Sequence, residues 1–105
     1  MKEIKAGMKS SAETEVNKEN LAVTIGSGSL EVFATPMMAD LMENAASKAV
    51  AAALENDETT VGTMLNITHT SATPVGMKVT AYAEVIQSNG REITYHVTAE
   101  DEKGV

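Results

Sequence analysis

The sequence has no cysteine, no tryptophan, two prolines and three aromatic residues, Phe33, Tyr82 and Tyr95. The first absence removes disulfides, thiolate zinc sites and a cysteine nucleophile together, and two histidines, His69 and His96, make a weak basis for a metal centre, so no metal and no separate cofactor is expected. With so few aromatics, Met, Leu, Ile, Val and Ala must fill the core. The 105 residues, 43% of them hydrophobic, fit one domain spanning 1–105. A chain of this size buries only about two-thirds of its unfolded surface, so pairing with a second copy would help. Basic residues are also scarce: eight Lys and Arg against fifteen Asp and Glu give a formal net charge of −7, which argues against a nucleic-acid partner. No apolar run approaches the roughly 18 residues that span a bilayer. The polar start at Lys2, Glu3 and Lys5 is not followed by a secretory segment. The expectation is a soluble cytoplasmic protein without a membrane partner.

What is present divides into a helical half and a strand-rich half. Ala12, Thr14 and Val16 alternate with Glu13 and Glu15 as in a short edge strand. Gly26-Ser27-Gly28-Ser29 reads as a turn without the glycine spacing or Lys-Ser/Thr ending of a phosphate loop. Thr35-Pro36 marks a helix start, with Thr35 as the cap and Pro36 at the first helical position, and the helix should run to about Leu54 before Asn56-Asp57. Met38, Leu41, Met42, Ala45, Ala49 and Ala53 spread over its apolar side. From Thr59 the period becomes two. Val61, Thr63, Leu65, Ile67 and His69 then share one face of a strand; Met77, Val79, Ala81, Ala83 and Val85 define the inward side of a second; Ile93, Tyr95, Val97 and Ala99 define that of a third. A three-residue loop, Ser88-Asn89-Gly90 with Gly90 left-handed, would pair Val85 with Ile93, Ala83 with Tyr95 and Ala81 with Val97 and keep one apolar face. The order of elements suits an α+β protein, either a sheet wrapped around the helix or a flat layer with the helix on one face.

Four residues stand out chemically. Glu43 flanks the apolar side of the helix among Ala39, Ala46 and Val50. It is either a half-buried acid suited to proton transfer or a boundary glutamate whose head reaches water. His69 is either a functional imidazole suited to proton exchange on the more apolar face or a core histidine satisfied by a carbonyl. Thr35 can cap the helix or offer its hydroxyl to a substrate, and the cap is the simpler reading. Gly62 permits close approach of a ligand or backbone, or marks a bulge. His96, among Thr94, Thr98 and Glu100, belongs on a solvated face. Met37, Met38, Met42, Met64 and Met77 read as core filling.

The run from Ala34 to Ala46, the Val61-Gly62-Thr63 triplet and the His69 to Gly76 segment together resemble bacterial hotdog-fold acyl-CoA thioesterases of the fluoroacetyl-CoA thioesterase branch, over essentially the whole chain. The resemblance implies a curved antiparallel sheet wrapped around a long central helix, and a homodimer, with higher oligomers allowed, whose sites lie at the subunit boundary. It implies a catalytic group of Thr35, Glu43 and His69, a substrate-contacting strand glycine at Gly62, and an acyl-CoA substrate cleaved to a carboxylic acid and free CoA. Two departures accompany it. Members of the branch continue past the position of Gly104-Val105 into another strand with a Gly-rich, basic segment, so the domain is expected to lack that strand. No bulky aromatic gate is evident around Gly26 to Ser29, so the fluoroacetyl substrate is not carried over. The competing readings are a hotdog protein that binds acyl thioesters without turnover, a structural or interaction module, and a dehydratase.

Overall fold

The computed structural model describes residues 4–54, 60–69, 72–89 and 92–102. Three antiparallel strands, β1 (Lys9–Glu15), β2 (Lys78–Asn89) and β3 (Glu92–Asp101), form a sheet in the order β1-β2-β3. A short helix, α1 (Ala22–Ile25), precedes the long helix α2 (Thr35–Val50), which ends in a 3-10 turn over Ala51–Ala53. The helical path stops at Leu54, close to the expected end; Asn56-Asp57 lies outside the described residues.

The core lies between α2 and the sheet. Met38, Leu41, Met42 and Ala45 of the helix pack with Ala12 of β1 and Val79, Ala81 and Ala83 of β2. Ala45 and Ala81 are completely buried, and their small side chains let the helix axis come close to the strands. The alternation read from β2 holds: Val79, Ala81, Ala83 and Val85 are buried while Tyr82, Glu84 and Ile86 are exposed. A second cluster, Ile4, Val50, Ala53 and Val85, closes the far end of the helix. At the near end, Phe33 is buried and its backbone bridges Leu21, and Val32 bridges Pro74, so the strand-like pieces flanking α1 are tied to the 72–76 turn.

Three local expectations are corrected. Residues 61–69 form no strand, and residues 61–66 are exposed along their whole length, including Val61, Met64 and Leu65. The stretch pairs in no sheet among the described residues, and Met64 is 87% exposed and does not fill the core. Thr59, where that strand was to begin, lies outside the described residues. The second correction concerns the helix start: Ala34 is the capping position, with extended backbone and no side-chain cap, which moves Thr35 inside the helix.

The third is the β2–β3 register. Val85 pairs with Tyr95, Ala83 with Val97 and Ala81 with Ala99, two residues away from the expected pairing. A slip of two preserves which face each side chain takes, so the apolar face survives. Its origin is a bulge: the ladder passes from Val85 to Gln87 paired with Thr94, then Ser88 with Ile93 and Asn89 with Glu92, leaving Ile86 over. The extra residue lets a shorter hairpin connection restore the correct faces; Gly90 itself lies outside the described residues.

The Tyr95 hydroxyl is buried without a hydrogen-bond partner, and burial pushes its ionisation above the ordinary value of 10.0. An unsatisfied buried hydroxyl costs about 1–3 kcal/mol, so Tyr95→Phe should leave stability unchanged or raise it, read by urea unfolding at pH 7. Folding holds the phenolic proton more tightly than the unfolded chain does. Wild-type stability should therefore be fully present below pH 10 and fall as pH rises through the higher folded-state value. The variant should lack that part of the alkaline decline.

Candidate active site

The displaced helix start decides what Thr35 does. A threonine at the cap would turn its oxygen toward the free amides of the first turn. As the first residue of α2, Thr35 instead projects its side chain outward, and its Oγ1 lies 2.6 Å from His69 Nδ1 across 34 residues of sequence. The threonine is exposed and the histidine half-buried. If the hydroxyl donates, Nδ1 accepts and Nε2 carries the proton; if Nδ1–H donates, Nε2 is left with a lone pair to serve as a base. In both arrangements the contact fixes the ring and leaves Nε2 for exchange with a substrate.

Glu43 and Gly62 form the second pair. The Glu43 carboxylate sits so close to the Gly62 backbone that a Cβ placed there would collide with Oε2. The glycine is therefore a site of close approach, and the approaching group is the acid itself. Glu43 is exposed, so this chain alone does not supply the burial considered for it, and it makes no hydrogen bond to Thr35 or His69 among the described residues. Eight residues separate Thr35 from Glu43, about 12 Å along the helix axis. The 60–69 segment thus meets α2 at two places, His69 at its first turn and Gly62 two turns on.

His69 also stands between two cavities. One, about 230 Å³, is an open cleft beside Thr35 walled by Ala22, Ser27 and Val32. The other, about 220 Å³, is more enclosed and runs inward, lined by Phe33, Met38, Met42, Ile67, Val79 and Val97. Thr73 and Asp101 complete its wall, with Thr73 Oγ1 donating to Asp101 Oδ2 at 3.2 Å. The sequence reading treated Met38 and Met42 as core only. Their i, i+4 spacing was visible, but nothing in it marks a cavity in front of them. His96 is exposed, as expected, and takes no part. No group of three or more His, Cys, Asp or Glu able to hold a metal ion occurs among the described residues.

The helix packed on an antiparallel sheet is the hotdog architecture of the thioesterase superfamily. A superfamily member from Thermus thermophilus superposes with a TM-score of 0.91 at 28% identity over 100% of this chain and 77% of its own. Within that class, the family described as FlK, fluoroacetyl-CoA-specific thioesterase, matches residues 16–105. The chain belongs to this family. A fluoroacetyl-CoA thioesterase from Streptantibioticus cattleyicolor is 46% identical over 71 residues, 68% of this chain and 51% of the relative, so the match spans about half of that relative's length. A mutant form of the fluoroacetyl-CoA-specific thioesterase FlK, solved in complex with fluoroacetate and CoA, superposes with a TM-score of 0.89 at 33% identity, covering 96% of this chain and 86% of its own.

Gly62→Ala separates local geometry from folding. The atom in the way is the tip of a flexible, exposed side chain, so stability should change by less than about 0.5 kcal/mol in thermal unfolding. A crystal structure of the variant should show the Glu43 carboxylate moved off the 62 backbone. An unmoved carboxylate would mean that Gly62 does not set its position.

Proposed function

We propose that this protein hydrolyses acyl-CoA thioesters, R–CO–S–CoA and water giving R–COOH and HS–CoA. The observation that carries the reading is the Thr35–His69 hydrogen bond at the junction of two cavities, one more open than the other. Membership of a family described as thioesterases supports it. The carbonyl carbon sits at the junction. In the assembled dimer, where the acid and the imidazole reach one thioester, Glu43 either takes a proton from the attacking water or attacks the carbonyl itself to form an anhydride that water then hydrolyses, while His69 delivers a proton to the departing sulfur and Thr35 orients the ring or the thioester. Both routes end with the oxygen of water in the acid and its protons shared between acid and thiol. Within one chain the two pairs lie about 12 Å apart along α2, so hydrolysis requires the assembled dimer to bring the acid and the imidazole to the same thioester, with Gly62 leaving room for the acid.

The same reading makes the protein a cytoplasmic homodimer with the site at the subunit boundary. The exposed 61–66 stretch and the exposure of Glu43 support a second chain at this side of the molecule. Sedimentation should give twice the 11.1 kDa chain mass, and a monomer at micromolar concentration would remove the boundary site.

Glu43→Gln keeps the shape and removes both basicity and nucleophilicity. It should cut thiol release from an acyl-CoA panel by about 100-fold or more, with unchanged circular dichroism. His69→Ala should also lower turnover by at least about tenfold. Near-wild-type rates in either variant would remove that residue from the mechanism. Tight acyl-CoA binding without thiol release by the wild type would instead identify an acyl-thioester-binding protein.

A further inference from the structure

The inner cavity bears on which acyl group enters. We infer that the protein selects acyl groups of medium length or aryl character, far larger than fluoroacetyl, seated along the Met38–Met42 face of α2; this rests on the thioesterase reading above. The cavity measures about 220 Å³. A volume of ~150 Å³ holds benzene, so this space has room for roughly eight or nine non-hydrogen atoms, with an open side and with Thr68, His69 and Thr98 adding polar groups to its wall.

Its direction follows from the helix. With the carbonyl held at Thr35 and His69, Met38 lies about 4.5 Å and Met42 about 10 Å farther along the axis. A group entering from His69 passes Met38 and ends against Met42, with Phe33 and Val97 on the facing sides. Methionine suits this wall, since the thioether adapts its shape and makes favourable contacts with aromatic rings.

The test is kcat/KM for acetyl-, hexanoyl-, octanoyl-, phenylacetyl- and lauroyl-CoA. The expected profile rises at least tenfold from acetyl to hexanoyl, octanoyl or phenylacetyl and falls again at lauroyl. Met42→Phe should lower the octanoyl-to-acetyl ratio at least tenfold, with folding checked by circular dichroism. Val97→Phe, from the opposite wall and only half-buried, should do the same if the helix variant is poorly folded. A profile highest at acetyl, or a ratio unmoved in a folded variant, overturns the inference while leaving thioester hydrolysis standing. If no member releases thiol, the hydrolytic reading fails. The acyl inference is then judged by calorimetric dissociation constants over the same panel, which must tighten from acetyl to octanoyl or the inference falls as well.

Discussion

A single hydrogen bond between side chains 34 residues apart organises this end of the molecule: Thr35 Oγ1 to His69 Nδ1. It exists because α2 begins one residue earlier than its sequence suggests. Ala34, with extended backbone, accepts the first helical amides through its carbonyl, and a proline in the first turn asks for no amide partner. The hydroxyl is thereby released from capping and holds an imidazole whose own segment has no regular secondary structure. The ring's place between the two cavities, and the meeting of the 60–69 stretch with the helix, both depend on that contact.

Much of the scaffold was legible because it rests on periodicity. The body of the helix up to the 51–53 turn, the edge strand β1 and the buried Val79, Ala81, Ala83 and Val85 each follow from a repeat imposed by one buried face. The hairpin shows the limit of that reasoning. Face pattern constrains register only in steps of two, and the choice among the allowed registers fell to a bulge at Ile86 that no residue pattern announces. The 61–69 stretch fails for another reason. Its alternation is real, but alternation becomes a strand only where a neighbouring strand pairs with it, and among the described residues the stretch joins no sheet.

The site was legible as residues and not as geometry. Thr35, Glu43, Gly62 and His69 could be singled out by type and position. The sequence could not show that they would form two pairs, Thr35 with His69 and Glu43 with Gly62, roughly two helical turns apart. The cavity was hidden for a related reason: an apolar helix face reads the same whether a strand or an empty volume lies before it. Met38 and Met42 occupy both situations, buried in the core and bordering the cavity.

The bared 61–66 stretch also has a chemical consequence. Its thioether at Met64 stands almost fully in water, whereas those of Met38 and Met42 are enclosed. Peroxide should convert Met64 to its sulfoxide well ahead of those two. The rate of that oxidation, followed by mass spectrometry, becomes a built-in gauge of whatever settles over this flank, slowing in proportion to the shielding it provides.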